Sequence, residues 1–292
     1  MDNIIDVTGG QGGNAFLVLG QEKTALLDCG MAYCASALIN NLRQVLQGRL
    51  LDYLFISHSH YDHIGAIPYV RSEWSNLKVL GAEYARKILD RQTALQTIRI
   101  LGKEAARFYG APEFDEYDDK LLKVDVVIND SDNIDLGSMN IRVLQTTGHT
   151  QCSLSFLINN KILFASESTG YMSKSGKIYP AFITSSVEAM ASITLCQTLQ
   201  PDLIISPHYG LVKQQDTPGY WEKCRSAISE TRNFIIDAAK KGCTEAQTLV
   251  EYERKLRDKE CRLEQPLAAF ELNARHMIKT VLKESGIEAG RI

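Results

Sequence analysis

The chain has 292 residues, 45% of them hydrophobic and 23% charged, with a formal net charge of −3. This is the composition of a globular protein long enough to bury a sizeable core, and the mild acidity without any basic block argues against a nucleic-acid partner. Seven scattered cysteines with no CxxC argue against a disulfide framework or a zinc ribbon. The first twenty residues lack the marks of a signal peptide and no apolar run would span a bilayer, so a reducing cytoplasm is the expected compartment.

In chain order, "NAFLVLG" and "KTALLDCG" predict two strands joined by a turn at Gly20-Gln21. Apolar spacing predicts a helix over Ala35–Leu46, and "LDYLFIS" reads as a strand buried on both faces. Residues 82–110 form a charged, helix-favouring stretch that ends at Gly110 and Pro112. Strand-like segments follow in "KVDVVI", "NIRVLQTT", "SLSFLI" and "KILFAS", then a helix over 187–199 and the strand "DLIIS". Strands dominate each half with helices between them, the pattern of an α/β protein built as an αββα sandwich.

Beyond Gly210 only helices are expected. Thr217-Pro218 reads as a start and Lys240-Lys241-Gly242 as the matching stop. Thr244 with Gln247 makes a capping box. Pro266 opens a last helix with Leu267, Phe270, Ala274, Ile278 and Val281 on one face and Gly286 beyond it. With no repeat and no low-complexity linker, the expected organisation is a sandwich over residues 1–212 and a helical lid over 213–292 packed on it.

Three of the six histidines stand within six residues, in "HSHYDH" at 58–63, directly after a predicted strand. In an extended segment residues 58, 60 and 62 share one side, and His63 joins them if the chain turns there. "IGAIPYV" reads as that turn, with Gly65 relieving crowding. His58, His60, Asp62 and His63 thus form a ligand cluster whose imidazoles and carboxylate suit zinc, and also iron or manganese. His149 in "TTGHT" and His208 in "SPHYG" each follow an apolar run and have a glycine close by. Glu167, after "KILFAS", is the candidate for an anion that offsets repulsion between two neighbouring cations. Taken alone, each of these three also reads as an ordinary structural or loop residue. Cys152 reads as a small core residue rather than a nucleophile.

The order HxHxDH, then GH, a strand-end carboxylate, and PH followed by glycine resembles the metallo-β-lactamase-fold superfamily of metal-dependent hydrolases. "TALLDCG" is similar to that family's early strand ending in Asp-x-Gly, and the resemblance covers about residues 10–212. It implies one metal on His58, His60 and His149, and a second on Asp62, His63 and His208. Glu167 takes the place of the bridging aspartate. The metals implied are two divalent ions, zinc first, with iron or manganese as alternatives. Two departures stand out: "SE" at 166–167 where the family shows Gly-Asp, and "GHTQCS" where a Pro-Gly is frequent. Flavodiiron oxidoreductases of the same fold carry a glutamate at the second histidine of the first motif. His60 stands there in this chain, and no flavodoxin-like segment follows.

The chemistry implied is hydrolysis by a metal-bound hydroxide, with Asp62 as catalytic ligand and proton carrier. Chain length and the C-terminal helices are similar to glyoxalase II-like and quinolone-signal-response thioesterase-like members. They imply a small-molecule thioester or ester as substrate, with Tyr171, Tyr209 and His276 lining its pocket. Other readings are a regulatory protein that signals through its helical surface, a phosphodiesterase or lactonase, and, least favoured by the charge, a nuclease. No nucleic-acid or membrane partner is expected, and nothing specifies an oligomer.

Overall fold

The computed structural model describes residues 3–111, 114 and 116–287. Pro112, expected to stop a helix, lies outside the described residues. The chain divides into two compact units, Met1–Gln145 with Leu154–Phe164, and Thr146–Ser153 with Ala165–Ile292. The helices after residue 213 therefore belong to the same unit as the residues from Ala165 onward.

The first unit contains two sheets. One runs in the order β1 (Ile4–Asp6), β2 (Phe16–Leu19), β3 (Thr24–Leu27), β4 (Tyr53–Phe55), β5 (Lys78–Gly81) and β6 (Val126–Val127). Its first three strands are antiparallel and the rest are parallel. Parallel neighbours need crossovers, here made by helices α1 (Ala35–Leu46), α2 (Tyr61–Ile64), α3 (Ile67–Glu73), α4 (Glu83–Leu89) and α5 (Gln92–Phe108). The second is an antiparallel meander of β7 (Asn133–Asp135), β8 (Asn140–Gln145), β9 (Leu154–Ile158) and β10 (Ile162–Phe164). Phenylalanines join the two sheets: Phe55 meets Phe156 edge to face at 5.4 Å, and Phe16 meets Phe164 at 6.2 Å. Burying each such ring contributes about 1.5–3 kcal/mol.

The expected turn at Gly20-Gln21 joins β2 to β3, and α1 covers the expected span. The stretch 82–110 is two helices rather than one. Arg91 is extended (φ −94°, ψ 118°), and the break lets Ala85 with Leu89, and Leu95 with Ile98 and Ala105, face the core separately. β6 lies within the expected strand "KVDVVI", whereas β5 is not among the strands expected from the sequence.

The second unit holds the hairpin of β11 (Tyr171–Met172) and β12 (Ile178–Tyr179), helix α6 (Ser186–Thr198) and the hairpin of β13 (Leu203–Ser206) and β14 (Gly210–Leu211). Four helices follow: α7 (Tyr220–Lys240), α8 (Glu245–Leu256), α9 (Lys259–Glu264) and α10 (Leu267–Glu284). Phe234 of α7, Tyr252 of α8 and Phe270 of α10 pack in a row, with ring centroids 6.0 and 5.9 Å apart. Thr217-Pro218 lies in a 3₁₀ turn that leads into α7, and α7 ends before Gly242 as expected. On α10, Phe270, Ala274, Ile278 and Val281 are buried, but Leu267 is 43% exposed. It is the first residue of the helix, and its side chain tilts back beyond the packed turns.

The Thr244 capping box is complete: Gln247 N–H donates to Thr244 Oγ1 at 3.2 Å, and Thr244 N–H donates to Gln247 Oε1 at 2.9 Å. Thr244→Ala is expected to lower stability by about 1 kcal/mol, read as a shift in urea midpoint at constant slope.

Candidate metal centre

The first unit's donors stand at the carboxyl end of its parallel strands, where α/β sheets commonly bind ligands. β3 and β4 pair in register up to Leu27 and Phe55, which puts Asp28 beside Ser57 and His58. The backbone of Asp28 is left-handed (φ 53°), and its carboxylate is fully buried. It accepts three hydrogen bonds of 2.7 Å, from Ser57 N–H, the Ser57 hydroxyl and His63 Nδ1. Having given its own proton to Asp28, the Ser57 hydroxyl accepts from His58 Nδ1 at 3.0 Å. One carboxylate therefore places the proton of both imidazoles on Nδ1 and leaves each Nε2 in the form that can ligate a metal.

The sequence expectation that residues 58, 60 and 62 share a strand face needs correction. His60 is the last extended residue (ψ 149°) and residues 61–64 form a helical turn, so the turn and not strand alternation brings Asp62 round. The His58 ring lies 4.5 Å from that of His60 and 4.2 Å from that of His63, and Asp62 Oδ2 is 3.8 Å from His63 Nε2. Gly65 does relieve crowding: a Cβ there would lie 2.5 Å from Ala32 N.

In the second unit, His149, Glu167 and His208 are brought together. Glu167 is buried, against the reading of an exposed loop glutamate. Its Oε2 is 3.2 Å from His149 Nε2 and its Oε1 is 2.7 Å from His208 Nε2, so the two oxygens face different imidazoles. His149 Nδ1 donates to the Ala181 carbonyl, which can only accept, and this fixes the proton on Nδ1. The neutral ring then turns an Nε2 lone pair towards a carboxylate oxygen. Two acceptors at 3.2 Å are compatible when a cation or proton sits with them, so this donor set fits a metal ion. The His149 and Glu167 loops are tied directly, because Ser168 Oγ accepts from His149 N–H at 2.9 Å and donates to Thr146 O at 2.6 Å.

Close backbone approach explains the glycine before His149. Gly148 has φ 127°, and a Cβ would lie 2.5 Å from Ala189 N of α6. His208 sits at the tip of the β13–β14 turn with φ 60°, a conformation costly for a residue with a side chain.

Of the expected pocket residues, Tyr171 meets the His208 ring edge to face at 5.4 Å. Burial lifts its phenol well above the usual range, helped by Cys261 and Glu167. Tyr209 is half-buried next to His208, while His276 is exposed on α10. Cys152 is buried. Sequence reasoning missed the roles of Asp28, Ser57 and the Ala181 carbonyl. It also missed α9, whose Cys261 thiol bonds the Tyr171 hydroxyl and whose N-cap Asp258 accepts from Tyr179 at 2.5 Å and Lys177 at 2.6 Å. Burial would raise the Asp258 carboxyl, but the bonds from Lys177 and Tyr179 prevail and hold it at about 2. Only Asp28 had a signal, the Asp-x-Gly at the end of its strand.

The model of the metallo-beta-lactamase superfamily matches residues 8–228, and the chain belongs to that superfamily. The metallo-beta-lactamase fold-containing protein ST1585 of Sulfurisphaera tokodaii is 26% identical over 160 residues, 53% of this chain. That match spans 56% of the relative's length. Among solved structures, the metallo-beta-lactamase family protein TTHA1429 from Thermus thermophilus aligns with a TM-score of 0.67 at 16% identity, covering 98% of this chain and 95% of that one. The class B3 di-zinc metallo-beta-lactamase LRA-12 from an Alaskan soil metagenome gives 0.54 at 18%, covering 78% and 89%. These likenesses show the fold, a sandwich of mixed sheets flanked by helices with further helices at the C-terminal end. A superfamily made up mostly of metal-dependent hydrolases, together with this His, Asp and Glu donor set, makes the chain a candidate metal-dependent hydrolase. Among the described residues no helix is long and apolar enough to cross a membrane.

Proposed function

We propose that the chain is a dinuclear metal-dependent hydrolase of small-molecule thioesters or esters, working in a reducing cytoplasm. One divalent ion, zinc before iron or manganese, would sit on His58, His60 and His149, and the second on Asp62, His63 and His208, with Glu167 bridging. The observation that carries this is Glu167, whose two buried oxygens each face a separate imidazole Nε2. In its support, each unit gathers donors of its own. In the first, the His58 and His60 rings lie 4.5 Å apart and Asp62 Oδ2 lies 3.8 Å from His63 Nε2. In the second, Glu167 stands beside both His149 and His208.

When bound, the two ions supply Lewis acidity and lower the pKa of water. The chain's residues do the rest. Asp28 and Ser57 keep His58 and His63 in the ligating tautomer, and the Ala181 carbonyl does so for His149. Asp62, half-buried, takes the proton released as water attacks and returns it to the leaving group. Tyr171, whose ring meets that of His208, and Tyr209, next to His208 in the chain, would contact an acyl group. The thioester class rests on the resemblance of the chain's length and C-terminal helices to glyoxalase II-like and quinolone-signal-response thioesterase-like proteins.

The test is metal content together with a screen of acyl thioesters, esters, lactones and phosphodiesters. The reading expects about two equivalents of metal and hydrolysis of a thioester or ester. Asp62→Ala should lower that hydrolysis by about 100-fold or more. Hydrolysis by Asp62→Ala at the parent rate would overturn the mechanism, and activity confined to phosphodiesters would overturn the substrate class.

A further inference from the structure

The Ala181 carbonyl that sets the His149 tautomer belongs to the loop leading into α6, and the last helix holds that loop. Thr280 of α10 donates its hydroxyl to the Ile183 carbonyl at 2.7 Å. One turn further along, Glu284 accepts from the Ser185 hydroxyl at 2.8 Å and from Ser186 N–H at 2.9 Å. Arg232 of α7 holds the same carboxylate at 2.5 Å. The carboxylate also stands at the N-terminus of α6, where the helix dipole favours negative charge. From the other side, Thr184 N–H and Ser185 N–H both donate to the Gly148 carbonyl, at 3.0 and 3.1 Å, and the Thr184 hydroxyl adds a third bond at 3.1 Å. The loop is thus a clamp: one edge grips Gly148 and the His149 ring, and the other is pinned to α10.

We infer that Thr280 and Glu284 are positioning residues for His149, acting through residues 181–186 to fix its Nε2 as a metal ligand. The inference rests on the proposed role of His149 as a ligand. Neither residue touches a donor, and neither lies near His149 in sequence. A carbonyl acceptor orients an imidazole only as well as its own loop is fixed, and loss of an outer partner of a ligating histidine typically costs 10–100-fold in metal affinity.

The experiment measures zinc affinity by competition with a chromophoric chelator, and urea stability in parallel, for the full chain. Thr280→Val keeps the shape and removes the hydroxyl; Glu284→Ala removes the carboxylate. Each should weaken one zinc equivalent by about tenfold while the other is unchanged, and the double variant by more. Thr280→Ser keeps the hydroxyl and should bind zinc as the parent does. Glu284→Gln keeps an acceptor oxygen for Ser185 and Ser186 N–H but turns an amide donor towards Arg232, and should bind more tightly than Glu284→Ala without reaching the parent. If Thr280→Val and Glu284→Ala lower the urea midpoint but bind both equivalents as the parent does, the two residues are merely structural and the inference fails. His149→Ala separates the two levels. If it weakens zinc binding while the α10 variants do not, only the inference falls. If His149→Ala binds zinc like the parent, the role of His149 as a ligand falls, and the inference with it.

Discussion

Asp28→Asn is expected to abolish tight binding of zinc at the first-motif histidines while leaving most of the fold's stability in place. Asparagine suits the left-handed backbone at this position (φ 53°), where alanine would add strain. Its side-chain oxygen can keep the bond from Ser57 N–H. The amide nitrogen, a donor only, then replaces the oxygen that received both the Ser57 hydroxyl and His63 Nδ1. Two donors cannot face each other, so His63 must move its proton from Nδ1 to Nε2. Ser57, now accepting from the amide, turns its own proton to His58 Nδ1, and that ring exchanges tautomer as well. One substitution therefore caps two ligating nitrogens with protons without removing either histidine.

The expected loss in zinc affinity is about 100-fold, measured by chelator competition. Asp28→Ala should lose the affinity and also leave buried donors unsatisfied, at roughly 1–3 kcal/mol each, so its melting temperature falls where that of the asparagine variant changes little. Parent-like zinc affinity in Asp28→Asn would show that the carboxylate is a packing residue only.

How much of this centre the sequence displays depends on how local each device is. The HSHYDH run is visible because four donors fall within six residues, and the strands before His149 and His208 are visible as apolar runs with a glycine close to the histidine. The partners that orient the rings are harder to see. Asp28 precedes His63 by 35 residues and is joined to it by parallel pairing of β3 and β4, which no periodicity announces. The partner of His149 is a backbone carbonyl 32 residues away, and any residue type at 181 would supply it. Cys261 meets Tyr171 across 90 positions through α9, a six-residue helix too short to show an apolar stripe. Conversely, the amphipathic pattern of α10 was readable apart from Leu267, since periodicity identifies a face and not where that face stops being covered.

Glu167 supports the sharpest contrast between a metal-bearing site and a structural hydrogen-bond cluster. Its carboxylate faces His149 Nε2, while Nδ1 is committed to the Ala181 carbonyl. In the metal-free protein the two can lie this close only by sharing a proton. Glu167→Gln replaces one oxygen by an amide that can donate to that nitrogen. The metal-free variant, which needs no shared proton, is therefore expected to be at least as stable as the parent, read as a melting temperature that does not fall. In zinc the order reverses. The amide lacks the charge that offsets repulsion between two cations and cannot coordinate through nitrogen, so one equivalent should be lost. The stabilisation that bound zinc adds to the parent shrinks with it, and hydrolysis falls by about 100-fold. Glu167→Asp keeps the charge but gives up about 1.5 Å of reach. The 167–169 turn is fixed by the Ser168 bonds to His149 N–H and Thr146 O, so the shorter carboxylate cannot hold both contacts. It should bind both ions, one of them about tenfold more weakly. A structural glutamate would behave in the opposite way: Glu167→Gln would melt lower with or without zinc, and zinc content would not change.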